Sequence, residues 1–565
     1  MNTRNVISPP LALVLIVSLL ILSFSSNSIA SKKVLYLDQG WSAEQRQKFY
    51  ETPQGSYLIP YNWYLALEQA DENALFSNRQ NIKKYNYLLK QEIDGSVLDV
   101  PLGFAIEPAP GEEDWLGYSC AACHTNEIRY KGKRIRIDGA PSLGDFVGFV
   151  SGLHDAIIAT LKDDEKFERF ANRVIESYDP LAKSVLLTEL TNYADQSSAF
   201  FKRNYSETKS GYGRLDAFGY IMNELFADDL GVPENANEPN APVSYPFLWG
   251  TPSHDFVQWN GGADNPIGRN VGEVLGTFGR VNLTNLEFLG STSARGKELI
   301  FLENLLTQLK APYWPGELLG KIDSEMASNG KVLYEQTRGD EPSCAYCHSL
   351  KNSAGVYPLT PAEENLFGAQ FIKTSMIPLE TIGTDPTSSL NFATRISSTG
   401  HLAPFLPEPF TGAAELPAPF LLGILVGLAT ESSLETIQPP LTQIEFASAI
   451  GFRVAAPGFP PQQPQNILAY RARPLDGIWA TAPYLHNGSV QNLHELLKPG
   501  SKRKSKFYVG DMKFDAKRIG FKSKNKGNTS LLDTSLPSNS NLGHEYGTTL
   551  SKKEKWELIE FLKTL

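Results

Sequence analysis

The chain has 565 residues, 41% of them hydrophobic and 20% charged, with a formal net charge of −10. That length supports two or more domains with real cores, and the composition is that of a globular protein. The acidic balance excludes a general affinity for nucleic acid.

At the N-terminus, Arg4 is the lone charge before residue 31, Leu11 to Leu22 is apolar apart from Ser18, and a polar stretch ends Ser28-Ile29-Ala30. A charged start, a short apolar core and small residues at −3 and −1 predict a secretory signal peptide over 1–30, cut after Ala30. The competing reading is an uncleaved anchor, but the apolar run is short for a membrane span. A periplasmic or secreted location follows. No later stretch approaches spanning length; the most apolar, Ala418 to Ala429, contains two glycines and reads as core or pocket lining.

All four cysteines fall in two Cys-x-x-Cys-His motifs, Cys120-Ala121-Ala122-Cys123-His124 and Cys344-Ala345-Tyr346-Cys347-His348. Positions i, i+3 and i+4 share one helical face. Two cysteines can therefore bond the vinyl groups of one haem while the histidine lies under the iron. The motif is the signature of c-type haem attachment, and histidine is a common axial ligand. A four-cysteine zinc site keeps its pairs much closer in sequence, and a thioredoxin-type pair does not require the histidine. Two covalent haem c groups are expected, with His124 and His348 as proximal ligands; a calcium ion between the domains is left open.

After the first motif, Ile128, Tyr130, Ile135 and Ile137 alternate around Gly132, predicting a short β-hairpin. Its Arg129, Lys131, Arg134 and Arg136 read as a solvated face, or alternatively as partners of haem propionates. Asp145 to Tyr205 is helical in pattern, and Pro233 to Pro246 is a polar, proline-rich loop. Tyr245 to Gly279 carries Phe247, Trp249, Phe256, Trp259 and Phe278 with Arg269 and Glu273. These aromatics read either as ordinary core or as an apolar distal pocket for the first haem. In the second reading Trp249 and Trp259 are walls or electron relays, and Glu273, with His254 as alternative, handles protons.

Ser324 to Thr337 reads as a helix, and 350–470 as long Gly- and Pro-rich loops. Six histidines remain beyond the motifs: His154, His254, His401, His486, His494 and His544. His544, in Gly543-His544-Glu545-Tyr546-Gly547, and then His486 stand where a small cytochrome domain places the residue facing its haem. His544 is the favoured sixth ligand of the second haem. Lysines and arginines cluster from Lys498 to Lys526, a solvated loop or a docking patch for an acidic redox partner. Ser551-x-x-Glu554 is a capping box; Trp556, Ile559, Leu562 and Leu565 then give one apolar face of a final helix. No internal repeat is evident beyond the motif pair.

Several stretches resemble a family. Cys120-Ala-Ala-Cys-His-Thr, Pro246-Phe-Leu-Trp-Gly-Thr-Pro, Val257-Gln-Trp-Asn-Gly, the run Arg473-Pro-Leu-Asp-Gly-Ile-Trp-Ala-Thr-Ala-Pro-Tyr-Leu-His-Asn-Gly-Ser-Val and Gly543-His-Glu-Tyr-Gly are similar to the large di-haem cytochrome c peroxidase-like proteins. That group includes the bacterial rubber oxygenases and the fatty-acid dioxygenases and diol synthases, with the smaller di-haem cytochrome c peroxidases more distant. The likeness runs from about residue 95 to the C-terminus. It implies a reactive first haem and an electron-relaying second haem. Two positions depart from the smaller peroxidases: their ligating methionine falls at Gly500 and their distal histidine at Ala140. A histidine-ligated second haem and an open first haem fit the oxygenase-like branch.

The expectation is a mainly α protein with long loops and two cytochrome c-like haem domains, 31–320 with a helical insertion and 321–565. The expected activity is a di-haem oxidoreductase using peroxide or O2 at the first haem, on an apolar, lipid-like substrate if it is a dioxygenase. A small redox protein would supply electrons. The alternative is a non-catalytic periplasmic electron-transfer cytochrome.

Overall fold

The computed structural model describes residues 34–90, 100–109, 111, 113–175, 179–263, 266–364, 368–450 and 468–565; the expected signal peptide lies outside them. The N-terminal part contains β1 (Val34–Tyr36), α1 (Ala43–Glu51), β2 (Phe104–Glu107), β3 (Trp115–Tyr118), α2 (Cys120–Cys123), β4 (Thr125–Tyr130) and β5 (Lys133–Asp138). β4 and β5 form the expected hairpin, with β1 added parallel to β5 through Leu35 opposite Ile135. The turn places Lys131 at φ 46° and Gly132 at φ 80°, the two positive values that match a two-residue turn to strand twist. One face buries Ile128, Ile135 and Ile137 completely. The other is only in part the solvated face expected: Arg129 and Lys131 are exposed, Arg134 is half-buried and Arg136 is buried. Arg129, Arg134 and Arg136 converge on the buried Glu127 at 3.1, 2.8 and 3.4 Å, because a carboxylate without contact to water needs charged donors.

The helical stretch resolves into α3 (Phe146–Lys162), α4 (Asp164–Val174) and α5 (Pro180–Arg203). Each begins on an aspartate, Asp145, Asp163 or Asp179, whose side chain accepts from a first-turn N–H, satisfying donors that a helix leaves open. Phe146 and Phe149 of α3 pack on Tyr87, Phe104 and Tyr118, and this aromatic layer reaches Cys123. A further layer is α6 (Pro266–Leu275), which buries Ile267, Val271 and Val274.

The second half contains α7 (Ser324–Glu335), α8 (Cys344–Cys347), α9 (Ala418–Glu435) and α10 (Lys552–Leu562). The region 350–470 is less loop-like than expected. α9 occupies its most apolar part and packs Leu421, Leu425 and Ala429 into the core that holds α6. It is apolar on every side, so it shows no helical contrast in the sequence. By length and composition α9 could cross a membrane, and 39% of it is buried inside the fold.

α7 and α10 cross at close range. The Ser551–Glu554 capping box is present, and Tyr334 meets Phe561 with ring centroids 5.2 Å apart. The largest core runs across the expected 320/321 boundary, joining Trp41, Phe49 and Ile135 to Tyr334, Trp479 and Ile559.

Gly330 is the contact point: a Cβ there would stand 2.0 Å from the Glu557 carbonyl oxygen. Gly330→Ala is therefore expected to destabilise the protein. Overpacking costs about 1–3 kcal/mol, against a gain of up to about 1 kcal/mol in helix propensity. A rise in the thermal unfolding midpoint would contradict this.

Candidate functional site

Each Cys-x-x-Cys-His sequence forms one short helical turn with the histidine at its end. His124 N–H bonds the Cys120 carbonyl at 2.9 Å, and His348 N–H bonds that of Cys344 at 2.8 Å. Both cysteines and the histidine of each motif therefore leave a single turn. None of the four cysteines forms a disulfide. Burial pushes the Cys120 and Cys123 thiols up to about 12 and Cys344 to about 11, so they stand as neutral thiols. The chain closes tightly on the first turn: Gly103, at φ +87°, would put a Cβ 2.1 Å from Ala122 N.

The histidines are held alike. His124 Nδ1 donates to the Pro246 carbonyl and His348 Nδ1 to that of Arg473, each at 2.8 Å. Burial lowers the pKa of both, His124 to about 4. Each ring is thus a neutral imidazole with its proton committed to Nδ1 and a lone pair left on Nε2, the form a metal takes.

Their surroundings differ. His348 faces His544, with ring centroids 6.3 Å apart. Two metal–histidine bonds of about 2.0–2.1 Å, plus the half-widths of two imidazoles, come to about 6 Å. Burial and the neighbouring His348 push His544 down to about 3, and its Nδ1 is buried without a partner. His544 has φ 48°, uncommon for a residue with a side chain. Arg503 holds it there, donating to the carbonyls of Asn541, Gly543 and His544 at 2.5, 2.8 and 3.1 Å. Gly500, the position of the peroxidase methionine, bonds Glu545 beside it. His486 is not in this pair; it stacks on Tyr470 at 4.0 Å.

The cavity between His348 and His544 is lined by Cys344, Trp259, Arg471 and Arg473. Arg471 and Arg473 are buried, with no salt bridge among the described residues. The lining suits a haem: the Cys344 thiol, two facing imidazoles, and two buried guanidinium groups of the sign its carboxylates require, with Cys347 leaving the same helical turn as Cys344.

Around the first turn, Gln54 Nε2 lies 3.3 Å from Cys120 Sγ, and the Tyr245 hydroxyl bonds Cys123. Tyr245 is also the ring beside His124, at 6.3 Å. Arg269 and Glu273, four apart on α6, share a face and act electrostatically on Cys120; Glu273 also acts on Cys123. Gln258 donates to Glu273 at 3.0 Å, and Arg269 pairs with Glu303 at 2.6 Å. Burial raises the pKa of Glu273 above the usual carboxylate range, which suits a proton donor and acceptor.

The aromatics separate: Phe278 stacks on Tyr118 and Phe146 in the layer that reaches Cys123, whereas Phe247, Trp249 and Trp259 pack elsewhere. Phe247 follows the carbonyl that holds His124 Nδ1, and its ring packs on the Arg473 guanidinium and lines the cavity of His348. Trp249 stacks on Phe247 at 4.6 Å, is 2% exposed, and bonds the Asp476 carbonyl. Trp259 bonds Ser244 and lines the second cavity. Trp259 thus stands at the second cavity, and Trp249 is packed core beside Phe247. His254 lies beside Arg471 at 3.3 Å, His154 bonds Ser197, His401 bonds the Leu283 carbonyl, and His494 stacks on Trp556.

The basic stretch divides. Arg503 is buried, and Lys506 and Lys526 pair with Asp533 and Asp511. Lys513 and Lys522 instead join Arg79, Lys83, Lys131 and Lys133 along one surface groove of about 1610 Å³. The Arg129 N–H to Met512 carbonyl bond, at 2.8 Å, brings the segment to the hairpin. Among the described residues no cluster of three or more His, Cys, Asp or Glu could hold a metal ion such as calcium.

Sequence reasoning missed Arg503, Gln54 and Gln258. Their roles come from contacts between separate segments; Gln258 carried a signal only as a member of the family-like Val257-Gln-Trp-Asn-Gly stretch, and Arg473 as the start of another such run.

The family described as RoxA-like, cytochrome c-like matches residues 469–508. That segment includes Arg473, whose carbonyl holds His348. The match marks a haem-based redox protein. Protein y4iJ of Sinorhizobium fredii, described as uncharacterized, is 32% identical over 94% of this chain and 93% of its own length. Protein y4iM of the same organism, likewise uncharacterized, is 23% identical over 52% of this chain and 54% of its own length.

Burial lowers the pKa of His486, so the folded protein keeps it neutral while the unfolded chain binds a proton below about 6.5. Stability is full above that pH and is lost on acidification, by about 1.4 kcal/mol for each tenfold difference in proton affinity between the folded and unfolded chain. The thermal midpoint is expected to fall from pH 7 to pH 5, and less steeply in His486→Gln; parallel slopes would contradict this.

Proposed function

We propose, because this chain belongs to one family with protein y4iJ of Sinorhizobium fredii and carries a RoxA-like, cytochrome c-like segment, that it is an exported haem oxidoreductase with two covalent haem c groups of unequal role. Cys120, Cys123 and His124 hold the first; Cys344, Cys347, His348 and His544 hold the second. The observation that carries the inequality is the facing His348–His544 pair, against the tyrosine beside His124. A haem with two strong axial ligands moves electrons, whereas one with an open position binds and activates peroxide or O2.

The residues of the first site then divide the work. Pro246 fixes the tautomer of His124 through its carbonyl. Glu273, with raised pKa, holds or releases a proton near the thioether side, and Gln258 keeps its carboxyl turned in. The Arg269–Glu303 pair settles the neighbouring charge, and the aromatic layer of Tyr118, Phe146 and Phe278 excludes water. Trp259, at the second cavity, and Trp249, stacked on Phe247, serve as electron relays in this reading.

Purified protein is expected to show two haems per chain by pyridine haemochrome, a bis-histidine low-spin EPR signal from one of them, and cyanide binding at the other. His544→Ala should open the second iron to cyanide. Glu273→Gln should lower turnover by about 10²–10⁴-fold with the spectra unchanged. Peroxide loss with a reduced donor would identify a peroxidase, and O2 uptake with oleate or polyisoprene a dioxygenase. Two irons that are six-coordinate in every redox state and bind neither cyanide nor CO would sink the enzymatic reading.

The basic groove favours a second reading, a cytochrome that only passes electrons to or from an acidic protein. In either reading the groove is the dock for that partner. Its contribution is electrostatic steering. Reduction by a small acidic redox protein is expected to slow with added salt, and to lose that dependence in Lys131→Glu/Lys133→Glu. An unchanged salt dependence in the double variant would remove the groove from this role.

A further inference from the structure

The two motif histidines, remote in sequence, are tied to one short path. His124 Nδ1 donates to the Pro246 carbonyl at 2.8 Å. The carbonyl of the next residue, Phe247, accepts from Arg473 Nη1 at 3.2 Å. The Arg473 carbonyl accepts from His348 Nδ1 at 2.8 Å. Arg473 therefore touches both arrangements, one with its backbone and the other with its side chain.

Its guanidinium is held in place. Cζ lies 3.3 Å from the centre of the Phe247 ring and 5.4 Å from that of Trp259, a stacking geometry that suits guanidinium. The residue is 6% exposed and makes no salt bridge among the described residues. Its charge acts on His124 and His348 alike. Arg471, two positions earlier, turns instead to the Phe256 carbonyl and His254.

We propose that Arg473 is a positioning residue shared by both haem sites: its carbonyl orients His348, and its buried cation, locked to the peptide that orients His124, sets the reduction potential of both haems. The inference rests on the two-haem reading above. An oxidised iron carries one more positive charge than a reduced one. A fixed cation between two such sites disfavours the oxidised form of each, and the low-dielectric interior leaves that repulsion weakly screened. Hydrogen bonding to the ligand imidazole and local charge are the levers a protein has on haem potential. This chain places both levers in one residue.

A purely structural Arg473 would only keep the Phe247 segment in place, so the test reads potentials. Holoprotein, first shown to contain two haems, is titrated potentiometrically as wild type, Arg473→Lys and Arg473→Gln. The glutamine variant is expected to lower both midpoints. The lysine variant, which keeps a cation, should leave both near wild type. The EPR signal of the His348 site should survive in each, because the carbonyl that orients it belongs to the backbone. Where Arg473→Gln does not accumulate, Arg473→Met retains the apolar stem against Phe247 and makes the same comparison. The proposal is overturned if removing the charge moves one midpoint alone or neither, or if lysine fails to restore them. A chain with fewer than two haems would sink the function reading instead, which separates the two failures.

Discussion

The chemistry of this protein depends on two hydrogen bonds from imidazole Nδ1 to backbone carbonyl. One joins His124 to Pro246 and the other His348 to Arg473. A free imidazole chooses either tautomer and turns about its χ angles. With Nδ1 committed, Nε2 presents its lone pair in one direction. Neither carbonyl is near its histidine in sequence, so neither site exists until the chain is folded. Binding of a metal-containing group is in this sense coupled to the whole tertiary structure.

What brings the carbonyls into place is close backbone approach and satisfied buried charge. Gly103 lets a loop lie on the first Cys-x-x-Cys turn, and Gly330 lets α7 and α10 cross beside the second. Buried acids are met by groups of donors rather than by single partners. Glu107 accepts from three successive N–H groups, Gln54 to Ser56, and from Arg295. Glu127 gathers three arginines from its hairpin. Such arrangements cost little only when every member is satisfied, so they also fix the register of the segments that carry them. The Gln54 segment held by Glu107 is the one that places a side chain on Cys120.

The two sites share a plan and diverge in what faces the histidine. Near the second, a loop strained at His544 and clamped by Arg503 supplies a second imidazole. Near the first, α6 supplies a carboxylate, Glu273, and the arginine of an ion pair, Arg269, while Gln258 adds an amide partner from outside the helix. Strain at a residue with positive φ persists only where surrounding bonds over-determine it, and the three carbonyls held by Arg503 do so for His544. Phe247 and Arg473, whose hydrogen bond joins the peptide that holds His124 to the one that holds His348, are also packed core, with Trp249 stacked on Phe247.

Much of this is legible in the sequence. The Cys-x-x-Cys-His spacing fixes which atoms leave one helical turn, so both motif turns are determined locally. The hairpin around Gly132, the three aspartate-capped helices after Asp145 and the Ser551 capping box are equally local, since each depends on contacts within a few residues. Helix α9 escapes such a reading because an element apolar on all sides shows no period. Arg136 looks solvated in the sequence because the buried acid it meets, Glu127, is recognisable as its partner only when the strands pair. The aromatics from Phe247 to Trp259 carry no mark of what they pack against; the contacts of Phe247 and Trp259 with Arg473 decide it. His544 over His486, the clamp by Arg503 and the bridge through Arg473 are likewise tertiary. They are set by which distant backbone atoms meet a side chain, and spacing along the chain holds no record of that.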